Sequence, residues 1–222
     1  RVAGLNDQGF IALQNWRAGE PPWQAEFRKR AWELYKNLPM PTRRDEEWRR
    51  SDLRPIRFDE IAPYAVSDLA GRRPADFPDA IRRRTDLGPH SGGLLVQHNS
   101  EDIHSALDPK LQEQGVIWCG FDHAARLHTD LVRQYYGTIR PATHGKFTAL
   151  HYAFQSGGTF LYVPPGVRID MPLRSLFFAD APASGSFPHT LIVLDRGASL
   201  NYFEERAGRR DESRQSLVSS VV

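Results

Sequence analysis

A chain of 222 residues with one cysteine, Cys119, cannot build a disulfide framework within itself, and this points to a reducing compartment. Long apolar runs are missing as well: nothing approaches the roughly 18 residues that a membrane-crossing helix needs. Residues 1–20 lack the continuous apolar core of a secretory leader, because Asn6, Asp7, Gln8 and Arg17 interrupt it. A cytoplasmic protein without membrane contact is the expectation. Charge of one sign is scarce too. With 29 Lys and Arg against 27 Asp and Glu, the net charge of +2 gives no argument for a nucleic-acid partner. The runs Arg43-Arg44, Arg49-Arg50, Arg72-Arg73 and Arg82-Arg83-Arg84 sit beside acids or in loops and read as solvated surface.

Aromatics are plentiful, with five Trp and twelve Phe, so a packed core is within reach. Residues 22–37 carry the plainest helical period. Trp23, Phe27, Ala31, Leu34, Tyr35 and Leu38 share one face, Pro22 opens the run and Pro39 stops it. The opposite face is Gln24, Glu26, Arg28, Lys29, Arg30, Glu33 and Lys36. A weaker helix covers Gly9 to Trp16, and Thr42 is placed to cap a short helix anchored by Trp48. Residues 63–92, rich in Pro, Gly and charge, read as a long surface excursion. Beyond them, Leu94-Leu95-Val96 and Val116 to Cys119 read as strands and Leu107 to Gln114 as a helix. Asp122 is placed to cap a helix ending near Gly137, with a break at Thr129.

From residue 146 the pattern changes to short β-rich runs with no helical period: 147–154, 159–163, 167–178, 187–194, 198–204 and 214–222. Turns at Gly157-Gly158, Pro164-Pro165-Gly166, Pro182 to Gly185, and Gly197 separate them. The division expected is an N-terminal α/β region over 1–145 and a stacked β architecture over 146–222. A sandwich and a β-helix both fit these runs. The last residues fall inside a strand-like run, so the chain is expected to be the front part of a longer protein.

Site chemistry is sparse. Cys119, His123 and His128 lack the spacing of a zinc site, since ligands sharing a helical face stand three or four apart and the two imidazoles are five apart. A small buried thiol and two surface imidazoles explain them better. Ser184-Gly185-Ser186 has no strand-to-helix context for a nucleophile elbow, and Gly157-Gly158 has no Lys-Ser/Thr after it for a phosphate loop. His151 and His189 lie in strand-like runs and point into a core or onto a partner. Glu204, Glu205, Asp211 and Glu212, mixed with Arg206, Arg209 and Arg210, read as a salt-bridged loop. Catalytic and metal residues: none are assigned.

Three blocks carry a resemblance. GGTFLYVPPGVRIDMPL (157–173), SFPHTLIVLDRGASLNYFEE (186–205) and QSLVSSVV (215–222) resemble segments of the SufB/SufD family, scaffold proteins of iron–sulfur cluster assembly. PMPTRRDEEWRRSDL (39–53) and Val116 to Tyr136 resemble its SufD branch. SufB has a sulfur-handling cysteine where this chain has Arg206, and an R-x-N pair where it has Phe178 and Asp180; a guanidinium cannot do thiolate chemistry. The resemblance implies an α+β chain: a helix-containing N-terminal region, then the first turns of a right-handed parallel β-helix, truncated at its C-terminus. It also implies a non-enzymatic subunit that partners a SufB-like paralogue and a SufC-like ATPase. No cofactor is expected in this chain itself. The cluster and the ATP (on the SufC-like subunit) belong to the full complex, and the cluster ligands lie beyond Val222. The alternatives are a carbohydrate-active β-helix enzyme using Asp170, Asp180 and Asp195, and a self-associating β-helix protein that forms a homodimer through its open strand end.

Overall fold

The structure is a computed structural model and describes residues 2, 4–86, 91–209 and 215–222. Helix α1 (Asp7–Trp16) starts at Asn6, whose side chain accepts the Gly9 N–H at 3.1 Å. Helix α2 (Pro22–Asn37) follows the sequence reading in its span and buries Ala31, Trp32 and Tyr35. Its polar face departs from that reading: Gln24 and Arg28, expected in solvent, are only 2% and 1% exposed. Thr42 caps no helix. The Asp45 carboxylate instead accepts the Thr42 N–H at 2.7 Å, ahead of a single 3-10 turn at Glu46–Trp48. The 63–92 excursion is partly built. Helix α3 (Asp79–Thr85) lies in it, and Leu69, Phe77 and Ile81 are buried, while residues 87–90 fall outside the described residues.

Strands β1 (Gly93–His98) and β2 (Glu101–Leu107) form an antiparallel pair through a tight turn at Asn99, whose φ of 55° is left-handed. After α4 (Pro109–Glu113) comes β3 (Ile117–Gly120), then α5 (Phe121–Leu127) and α6 (Thr129–Tyr135). The break between α5 and α6 falls at His128, one residue before the expected Thr129, which opens α6 with its hydroxyl donating back to the Ala125 carbonyl at 2.8 Å. Asp122 is not the cap of α5. Gly120 occupies that position, and the Asp122 carboxylate serves other partners.

The main correction is α7 (Lys146–Phe154), which is helical where a strand over 147–154 was expected. Every residue from Thr148 to Phe154 is buried. A helix surrounded by core is apolar on all sides, so no amphipathic period marks it, and its Phe, Thr and Tyr bias it toward a strand reading.

After α7 the chain runs in circuits. Strands β4 (Gly158–Val163), β5 (Arg168–Ala179) and β6 (Gly185–Ser186) form one; β7 (His189–Leu194), β8 (Ser199–Gly208) and β9 (Leu217–Val218) follow in the same order. Each strand pairs in parallel with its counterpart one circuit later: β4 with β7, β5 with β8, β6 with β9. Gly158 meets His189 and Arg168 meets Ser199, a spacing of 31 residues in both. The turn glycines Gly166 and Gly197 stack as well, each with positive φ. Val221 bridges to His189, opening a further circuit. At the other end β2 and β3 close the two larger sheets with antiparallel pairing, giving sheet orders β2-β1-β5-β8 and β3-β4-β7.

Alternation along β5 sets the layers. Ile169, Leu173 and Phe177 face the interior between the sheets with Leu161, Val163 and Trp118. Leu176 and Phe178 face outward, under Leu69, Phe77 and Ile81 of the former excursion. Phe160, Leu191 and Val193 face the helices on the far side. The stretches on either side of residue 145 thus share two sheets and a core, with β1 bonded to β5 and β3 to β4.

Candidate functional site

The interior of the circuits turns polar toward one end. In the first circuit the Thr159 and Ser175 hydroxyls meet at 2.8 Å. In the second, Glu204 points inward, its Oε2 accepting from the Thr190 hydroxyl at 2.6 Å and the Tyr202 hydroxyl at 3.1 Å. Its Oε1 accepts from Arg206 Nε at 2.8 Å, and the same guanidinium reaches the Ser220 hydroxyl at the start of the next circuit. The Glu204 side chain is 12% exposed and that of Arg206 35%. Burial first, then the Glu204 charge, pushes the Tyr202 phenol up to about 12. The loop expected around Glu204 and Glu205 is therefore a strand, with Glu204 inside and Glu205 outside, paired with Arg84 and Arg174. Arg210, Asp211 and Glu212 lie outside the described residues. Period-two alternation from Leu200 through Tyr202 to Glu204 is the sequence signal that could have placed this carboxylate.

His151 and His189, assigned to strands, come together from α7 and β7. His151 Nδ1 donates to the Ser219 carbonyl at 3.1 Å, so in the neutral ring its Nε2 accepts from His189 Nδ1 at 3.2 Å. Burial drives the His151 pKa down to about 3 and lowers that of His189 strongly, with His151 adding to the second effect. Phe121, Tyr136 and Tyr152 ring the pair. It is a neutral core pair that ties α7 to the last residues of the chain.

Asp180 belongs to another constellation. His98 Nε2 donates to Asp180 Oδ1 at 2.9 Å, and the Ser67 hydroxyl meets His98 Nδ1 at 2.8 Å. The order of groups is that of a serine nucleophile, its base and an orienting acid. The surroundings are not. Ser67 is 7% exposed, its N–H is committed to Glu101, and its Oγ already accepts the Leu69 N–H at 3.0 Å. The three residues instead join residues 65–69 to the ends of β1 and β5.

Asp170 and Asp195 are not brought to Asp180: Asp195 bonds the Tyr162 hydroxyl at 3.2 Å on the other sheet. Cys119 is half-buried on β3 and its thiol is pushed up to about 12, by burial first and the Asp102 charge second. His123 is exposed on α5 and His128 stands at that helix's end. Among the described residues no group of three or more His, Cys, Asp and Glu is placed to hold a metal ion. No helix among them is long and apolar enough to cross a membrane.

Comparison with known proteins gives the family. The family described as the SufBD protein N-terminal region matches residues 14–174. An iron-sulfur cluster assembly SufBD family protein of Staphylococcus epidermidis is 36% identical over 193 residues, covering 83% of this chain and 40% of that protein. The family member of Staphylococcus haemolyticus is also 36% identical over 193 residues. That of Staphylococcus aureus is 34% identical over 209 residues, covering 90% of this chain and 43% of the relative. The chain belongs to the SufBD family of iron–sulfur cluster assembly proteins. It spans well under half the length of these relatives.

Proposed function

We propose that this chain is the N-terminal part of a SufD-like scaffold subunit, which works by binding partners and not by catalysis of its own. Its circuits are then the opening turns of a right-handed parallel β-helix. The in-register parallel pairing of β4, β5 and β6 with β7, β8 and β9 supports that architecture, because stacked repeats make a long rigid face. The observation that carries the branch assignment is Arg206. It stands where the resemblance puts the SufB sulfur-handling cysteine, and here it is locked to Glu204 and Ser220. A guanidinium so engaged accepts no sulfur. The partners proposed are a SufB-like paralogue and a SufC-like ATPase in the cytoplasm, with the cluster as cargo of the assembly and ATP on the ATPase.

The test is co-expression of the longer protein with its SufB-like and SufC-like counterparts. A stable complex that survives size-exclusion chromatography is expected, and the chain 1–222 alone should not retain the ATPase. Separate migration of the longer protein would sink the partner assignment. Retention of the ATPase by 1–222 would place its docking surface in this region.

A further inference from the structure

The start of α7 opens on a groove of about 840 Å³, walled by parts of 38–48, the first turn of α7 and residues 219–221. The first bond into the helix runs from the Ala149 N–H to the Gly145 carbonyl at 2.9 Å. The N–H groups of Lys146, Phe147 and Thr148 precede it, and no side chain caps them. Gly145 stands where a capping residue would. Its backbone is extended, with φ 172°, and a Cβ added there would meet nothing within 4 Å. The space ahead of the helix is open. Thr148 is a second and independent sign of a ligand. It is 8% exposed, and its hydroxyl has no hydrogen-bond partner among the described residues. Unlike the Ser156 hydroxyl, it is not sealed off, and the groove is what it lines. A hydroxyl so nearly buried calls for a partner in the space it faces.

The charges around the groove favour an anion. Arg44 and Arg140 line it and pair with no carboxylate among the described residues. Of the acids on the same wall, Asp45 is held by Thr42 and Glu46 by Arg49, while Glu47 is exposed. Lys146 is spent elsewhere, donating to the Tyr35 and Leu38 carbonyls at 2.8 and 2.6 Å. Three N–H groups, a hydroxyl and two guanidiniums suit a phosphate, which offers several oxygens to donors and is favoured at a helix N-terminus. A bare phosphate would leave most of the groove unfilled, and its volume lies in the range of small-molecule sites. Trp48 stacks on Phe147 beside the helix start, with ring centroids 4.7 Å apart, and Met40 extends this apolar side. We propose that the groove is a binding site for a small phosphate monoester. The phosphate sits on the N–H groups of 146–148 and the Thr148 hydroxyl, and the organic part lies against Trp48 and Met40.

Isothermal titration calorimetry of the longer protein, with phenyl phosphate and inorganic phosphate as probes at constant ionic strength, tests this directly. Saturable binding to one site is expected, with phenyl phosphate at least about tenfold tighter because its ring covers apolar surface. Gly145→Asp sets a carboxylate over the same N–H groups as a helix cap, so it should keep the urea midpoint and lose the binding. Thr148→Val keeps the side-chain shape and adds no charge; it should weaken phenyl phosphate binding about tenfold. Absence of saturable phenyl phosphate binding overturns the site. So does equal affinity for the two probes, or full affinity in either variant.

Discussion

Arg28 shows what one residue decides. Its guanidinium donates to the Ala153 and Gln155 carbonyls, both at 2.9 Å, and pairs with Glu20 at 2.8 Å, closing the C-terminal end of α7. Arg28→Met leaves those carbonyls and Glu20 without their partner and should cost about 3–5 kcal/mol in urea unfolding. A solvent-facing arginine would cost within about 0.5 kcal/mol. In the sequence Arg28 sits among Glu26, Lys29 and Arg30, and nothing local distinguishes it; the two carbonyls it bonds lie 125 and 127 residues away. The buried imidazoles have a signature of their own. Both His151 and His189 bind protons less readily folded than unfolded, so stability is full above the ordinary histidine range. It should fall as pH drops from about 6.5 toward 3, by up to tenfold in the unfolding constant per pH unit for each ring. A urea midpoint that stays level from pH 6.5 to 4 would contradict the neutral pair. Cys119, with its thiol pushed up to about 12, should resist alkylation at pH 8 until the protein unfolds.

At the scale of elements, the strands were more legible than the helix that precedes them. Turn residues bracket β4, β5, β7 and β8, and those spans lie close to their expected bounds, apart from β8, which runs on to Gly208. Strand β2 escaped notice because EDIHSAL has two acids at its start and weak alternation on an edge. Helix α7 was misread because full burial erases the amphipathic period. The 31-residue repeat was also hidden, since few side chains recur at matching positions: Thr159 with Thr190 and Gly166 with Gly197 are the clearest. Gly158 tests the stacking locally. Its φ is 118°, and a Cβ there would overlap the His189 backbone of the next circuit. Gly158→Ala should cost at least about 1–3 kcal/mol and loosen the β4–β7 pairing, read as faster amide exchange in 189–194. Unchanged exchange there would mean that the circuits do not stack as described.

For the whole molecule, the candidate site was legible mainly by exclusion. The spacing around Cys119 argued against a metal reading, and resemblance singled out Arg206. The ion pair that holds Arg206 to Glu204 has no mark in the sequence, because it depends on which way β8 faces. Family membership ties the chain to iron–sulfur cluster assembly, and the scaffold role is the proposal that the Arg206–Glu204 pair supports. Cys119→Ser should accordingly leave cluster assembly unchanged, measured as iron and sulfide incorporated into a recipient apoprotein. The most direct measurement of the central claim is the activity of a 4Fe–4S dehydratase in cells depleted of this protein. A several-fold loss of activity at constant enzyme level is expected, restored equally by wild type and by Cys119→Ser. Full activity on depletion would contradict a role in iron–sulfur cluster assembly.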